Sequence, residues 1–174
     1  MEHARWTARS LTVLAAAALW AVIAFAPAGD TAGRCQTPAE IVRYDPGYHS
    51  ALAVGAESGS LFTFSLNGAR LVDISGQTLS ADCLTTGTLV MLTGPGYRLE
   101  SYPAQYPGVT EVRVTGARPD FIALHYDAVF SQIAAADAED APALLRTAAD
   151  SLPELTDGEK EALSYELSCA LGLF

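Results

Sequence analysis

The residues able to do chemistry are few. The histidines are His3, His49 and His125, and the cysteines are Cys35, Cys83 and Cys169. A hydrolase or transferase needs a nucleophile, a base and a group that orients the base. No carboxylate, histidine and nucleophile stand at such a spacing here. His125, in Leu-His-Tyr-Asp, has Asp127 as a neighbour but no second metal ligand at i+4. The cysteines lack C-x-x-C spacing, and the chain has no glycine-rich phosphate loop, no G-x-S-x-G and no Ca²⁺ loop. Asp137, Glu139 and Asp140 read as a solvated acidic junction before a helix. The sequence therefore predicts no enzyme, no metal and no cofactor.

A different chemistry, recognition, is concentrated in Tyr97–Gly116. There Tyr97, Tyr102, Gln105 and Tyr106 cluster with Pro103, Pro107 and Gly108. Two readings stand. Pro103 keeps Tyr102 out of the α region and stops ladder bonding, so the stretch is a structural corner with one ring over the end of a barrel. Alternatively, the four side chains form an aromatic and amide surface for a ligand or a partner.

Composition narrows the partner. The chain has 174 residues, half of them hydrophobic, and a net charge of −10. An acidic surface repels phosphate backbones, so nucleic acid is not expected. Arg5 and Arg9 precede an uncharged run, Leu11–Ala26, followed by Pro27, Ala28 and Gly29. This is the pattern of an export signal, with Ala26-Pro27-Ala28 as the cleavage site. The same run is close to the minimum for a membrane-spanning helix. Either way the remainder is expected outside the cytoplasm, membrane-anchored or secreted. There two of the three cysteines can pair, in three possible connectivities; Cys35 with Cys83 would pin the start of the mature chain to the β-region, Cys35 with Cys169 would tie the two ends together, and three buried free thiols are the alternative.

The elements that must position these groups are legible in outline. Residues 1–28 are the signal or anchor, and 29–47 read as a linker broken by glycines and prolines, with Ile41–Tyr44 as a short strand at most. From 48 to 117 the pattern is β. Leu61–Leu66 alternates, Asn67-Gly68 predicts a hairpin turn back into Ala69–Ile74, and Thr88–Thr93 is a fully apolar strand. Tyr97–Tyr102 and Glu111–Thr115 form the last pair, with Val112 and Val114 pointing inward. Five or six short strands in this space predict a small OB-like barrel. Residues 118–174 are helical. Ile122, Tyr126, Val129 and Ile133 recur at helical spacing; Asp140 starts a second helix carrying Leu144, Leu145, Ala148 and Leu152. Thr156 and Glu159 form a capping box before Leu163, Leu167, Ala170 and Leu171. The fold class is α+β.

The stretch "GTLVMLTGPGYRLESYPAQYPGVTEVRV" resembles the YobA-like small exported bacterial proteins. The matching positions are Gly87, Leu89, Met91, Glu100, Ser101, Tyr102, Pro103, Gln105, Val112 and Val114. The resemblance implies an extracytoplasmic OB-like barrel without established activity, often lipid-anchored. Arg34 before Cys35 departs from a lipid-attachment site, and the helical tail departs from the family. The resulting expectation is a non-catalytic binding or adaptor module for a protein partner in the cell envelope. Small-ligand binding at the barrel rim is the alternative.

Overall fold

The computed structural model describes residues 34–134 and 140–173. The expected N-terminal signal or anchor lies outside the described residues, as do Asp137 and Glu139. Among the described residues no helix is long and apolar enough to cross a membrane.

The body is α+β: one seven-stranded mixed sheet followed by three helices. The strands are β1 (Cys35–Asp45), β2 (Ser50–Gly55), β3 (Leu61–Ser65), β4 (Arg70–Val72), β5 (Thr88–Gly94), β6 (Ala104–Gln105) and β7 (Glu111–Ala117). Their order is β4-β7-β5-β1-β2-β3-β6. All neighbours are antiparallel except β3–β6 and β4–β7, which are parallel.

The expected linker is instead largely the central strand. β1 tolerates Pro38 because pairing with β2 begins only at Ala39, while Pro38 faces Met91 of β5. The proline's missing N–H therefore costs no ladder bond. Pro46 and Gly47, which look like linker residues, form the turn between β1 and β2.

Asn67-Gly68 makes a turn, with Gly68 at φ 79° and Ala69 N–H donating to Leu66 O at 3.0 Å. It does not make a hairpin. The chain crosses from β3 to the other end of the ladder, where β4 runs parallel to β7. The hydrogen-bonded ladder is open, with β4 and β6 as its two edge strands among the described residues, so a closed barrel is not formed by it. The sheet nevertheless curls enough that Phe62 and Phe64 of β3 share one core with Leu71 of β4, Val90 and Leu92 of β5 and Val112 of β7. The expected strand Tyr97–Tyr102 is a bent connection with a single bridge, Leu99 to Gln105. Ile74 lies beyond the end of β4 and is half exposed.

The helices are α1 (Phe121–Ile133), α2 (Ala141–Asp150) and α3 (Asp157–Leu171). Asp120 caps α1 by accepting from Ala123 N–H, and the Thr156–Glu159 capping box opens α3. The helices bury their apolar stripes against the outer face of the sheet. Val129, Ile133, Leu145, Leu163 and Leu167 meet Val42, Leu52, Val54 and Leu61. β1 thus serves two cores: Ala39 and Ile41 face the curl of the sheet, and Val42 faces the helices. Leu144 is turned outward, so the buried side of α2 is Ala141, Leu145, Ala148 and Ala149.

The expected disulfide is not formed; Cys35, Cys83 and Cys169 are all free thiols. Cys35 faces Gly94 at one end of β5, whereas the Cys83 carbonyl accepts from Thr88 Oγ1 at the other end. Six strand residues, about 20 Å, separate the two ends, and a disulfide needs Cα atoms within about 7 Å.

Candidate functional site

The connection between β5 and β7 carries the residues of interest, and it divides them into two groups. Tyr106 turns inward and is 2% exposed. Its ring stands edge-on to Phe62 at 5.9 Å, and its hydroxyl lies 3.2 Å from Thr37 Oγ1 and accepts from Gly96 N–H at 3.2 Å. Gly94 makes room: a β-carbon there would press on the Tyr106 ring at 3.0 Å. Tyr106 is therefore a core pin holding the 95–97 turn to β1 and is no part of an exposed rim.

Tyr97, Tyr102 and Gln105 are exposed. Arg98, between them, turns in. Its guanidinium lies 4.2 Å over the Phe62 ring and donates to Ser58 Oγ at 3.1 Å. Burial pulls its pKa below the usual arginine value. Leu99 N–H donates to Gln105 O at 2.8 Å, closing a small loop. Inside it, Ser101 Oγ donates to Pro103 O at 2.7 Å, and the Tyr102–Pro103 peptide is cis.

That loop delivers Tyr102 to α3. Its ring meets Tyr165 edge-on, 5.8 Å between centroids, although Tyr102 remains 60% exposed. The pair stands at the mouth of a cleft of about 660 Å³ between the loop, α2 and α3. Leu145 and Leu173 supply apolar wall, while Arg146, Lys160, Asp157 and Glu161 supply charges of both signs. Partial burial, reinforced by Glu161, raises the Tyr102 phenol above its usual pKa. Burial, then the neighbouring Cys169, does the same to Tyr165. Both hydroxyls are already engaged, Tyr102 with Glu161 and Tyr165 with Cys169. Seven of its twelve lining residues are charged or serine, so the cleft is an open polar groove and not the enclosed apolar pocket of a small-molecule site.

The other titratable groups fall elsewhere. His49, at φ 47° in the β1–β2 turn, places Nδ1 3.3 Å from Tyr44 Oη. The two residues line a shallower cleft of about 400 Å³ with Arg70 and Thr78. His125 pairs with Glu154 at 3.6 Å, not with Asp127. Among the described residues no group of three His, Cys, Asp or Glu side chains could hold a metal ion.

One constellation escaped sequence reasoning. Glu40 of β1 and Glu159 of α3 are buried, and Arg118 Nη1 lies 3.0 Å from both carboxylates. Glu159 Oε2 also accepts from Thr156 N–H. Glu40 Oε1 is buried without a hydrogen-bond partner. Burial raises the Glu40 pKa; Arg118 opposes this and Glu159 adds to it. The visible signal was a charge inside the apolar run Ala39-Glu40-Ile41-Val42. The group ties β1, the β7–α1 junction and α3 together.

Comparison of the chain with protein-family models, with curated proteins and with solved structures finds no match.

Proposed function

We propose that the chain is an exported or membrane-anchored accessory protein, a non-catalytic binding module of the cell envelope. Its Tyr102–Tyr165 cleft takes a segment of a protein partner. The export reading rests on the basic residues and uncharged run at the start of the chain. The resemblance of residues 87–114 to YobA-like exported proteins agrees with it.

The observation that carries the binding reading is Tyr102 itself. It is the exposed aromatic of Glu-Ser-Tyr-Pro-Ala-Gln, yet its ring is already held on Tyr165 at the mouth of the cleft. A pre-positioned tyrosine gives contact area with little further loss of side-chain freedom on binding. Small-ligand binding at the rim is less well supported, because Tyr106 belongs to the core and, of Tyr97, Tyr102 and Gln105, only Tyr102 lines the cleft.

The test is a photo-crosslinking residue placed at Ser168, inside the cleft, in cells producing the full chain. One discrete protein adduct is expected, and Ser164→Arg, which fills the cleft, should abolish it without lowering the unfolding temperature. An identical adduct from position 48, remote in the β1–β2 turn, would refute the reading.

A further inference from the structure

The β1–β2 turn, the β3–β4 turn and residues 78–81 meet at the shallower cleft, of about 400 Å³. That volume falls within the roughly 300–1,000 Å³ of small-molecule sites. Its floor is apolar. Leu71 belongs to the core inside the sheet, and Leu66 and Leu79 pack against that core. The chain carries 20 acidic residues against 10 basic ones, yet no residue lining this cleft is acidic. Arg70 and His49 are its two basic residues.

Arg70 is only loosely matched by its neighbours. Glu111 Oε1 accepts from Arg113 Nε and Nη2 at 3.3 and 2.8 Å. Arg70 Nη1 lies 3.6 Å from the other oxygen, beyond hydrogen-bond length. Two guanidiniums thus share one carboxylate, and the trio is net positive. The acids of the adjoining turns are occupied with their own loops. Asp45 accepts from Gly47 and Tyr48 N–H, Asp73 from Ser75 and Gln77 N–H, and Asp82 from Ser80 Oγ. At the same mouth, His49 is the one described non-glycine residue at positive φ, 47°, a conformation uncommon outside glycine. Leu66 N–H holds it there by donating to His49 O at 2.8 Å. Tyr44 Oη lies 3.3 Å from its Nδ1. With the phenol donating, Nε2 carries the ring proton and is a further donor at the mouth.

We infer that this cleft binds a small organic carboxylate with an apolar body. The planar fork of Arg70 matches a carboxylate, and His49, steadied by Tyr44, adds a donor. The three leucines take the apolar body out of water. Inorganic phosphate would leave that floor uncovered, and a neutral apolar molecule would forfeit Arg70. The site is separate from the Tyr102–Tyr165 cleft, since no lining residue is common to the two. It therefore holds whatever occupies that larger groove.

The probe is 3-phenylpropanoate, with 3-phenylpropanamide as its uncharged twin. Each is titrated into the full chain, labelled at its leucine methyls and held in lipid nanodiscs, with empty nanodiscs as the blank. Saturable shifts are expected at the Leu66, Leu71 and Leu79 methyls, and the amide should bind about tenfold more weakly than the carboxylate. Arg70→Gln should weaken the carboxylate about tenfold and leave the amide as it was. Arg34→Gln, which removes an exposed charge at the other end of β1, should change neither. Shifts at Leu145 and Leu173 in their place would put the probe in the larger groove and overturn the inference. So would equal affinity for carboxylate and amide, an Arg70→Gln protein that binds the carboxylate like the parent, or no saturable shift at all.

Discussion

Glu40 and Glu159 are 119 residues apart in sequence, yet their carboxylates reach the same nitrogen of Arg118, each at 3.0 Å. With both acids ionised, one base would leave a net negative charge between sheet and helix, and among the described residues one oxygen of Glu40 has no hydrogen-bond partner. The unfavourable part of this arrangement is the ionised form of Glu40.

The first prediction follows from that charge. Burial raises Glu40 above its ordinary pKa of 4.5, so the folded chain holds this proton more tightly than the unfolded chain. Its stabilising contribution is complete below the unfolded value and is lost as pH rises through the folded one. Glu40→Gln imitates the protonated form. Urea midpoints for the two proteins should coincide near about pH 4 and separate toward about pH 7, with Glu40→Gln the more stable. Glu166, also raised by burial and opposed by Arg43, is common to both proteins and cancels in the difference. A gap that stays constant with pH would mean Glu40 is not the titrating group.

Arg118→Ala should behave oppositely. It leaves two buried carboxylates facing each other with no cation between them. Removing one partner of a fully buried pair costs several kcal/mol, but the Arg118 side chain is 40% exposed, so about 2 kcal/mol at neutral pH is expected. The loss should shrink on acidification, and adding Glu40→Gln should recover at least half of it. Chemical denaturation of the three variants measures this. An Arg118→Ala protein as stable as the parent at pH 7 would show that Arg118 offsets little of the buried charge.

What the sequence made legible was local. The capping box at Thr156 and Glu159, the inward Val112 and the two stripes, Val129 with Ile133 on α1 and Leu163 with Leu167 on α3, each depend on residues close together in sequence. What stayed hidden was pairing over distance. Asn67-Gly68 announces a turn but cannot say that β4 will leave β3 for β7. Pro38 argues against a strand unless it is known that β2 starts pairing one residue later. Tyr102 and Tyr106 sit four residues apart in one motif, and only the packing decides that one is exposed and the other core. Glu159 looked like a cap and was also the far half of a buried charge network.

Gly158 locks α3 to the sheet, which gives a third prediction. It is the second residue of the helix, where alanine would normally help by about 1 kcal/mol. Here a β-carbon would collide with Val54 Cγ1 and lie 2.7 Å from Gly59 O. Neither neighbour is a flexible side-chain end. Gly158→Ala should therefore destabilise by about 2 kcal/mol, overpacking outweighing propensity. A urea midpoint at or above that of the parent would mean α3 can shift off the β2–β3 turn at little cost.

The last prediction separates the two tyrosines of the motif. Tyr106→Phe keeps the buried ring but removes the hydroxyl that accepts from Gly96 N–H and meets Thr37 Oγ1. The loss should be about 1 to 2 kcal/mol, since the hydroxyl's bonds to Gly96 N–H and Thr37 Oγ1 are lost together beside a buried ring. Tyr102→Ala removes a whole side chain, but one 60% exposed, so its cost should stay below about 1 kcal/mol. The smaller change at Tyr106 should thus be the more damaging to stability, and the larger change at Tyr102 the more damaging to partner capture. Unfolding curves and the Ser168 crosslink, measured on the same two variants, give both orders. If Tyr102→Ala is the less stable protein and its crosslink survives, Tyr102 is a structural corner and the cleft loses its anchor.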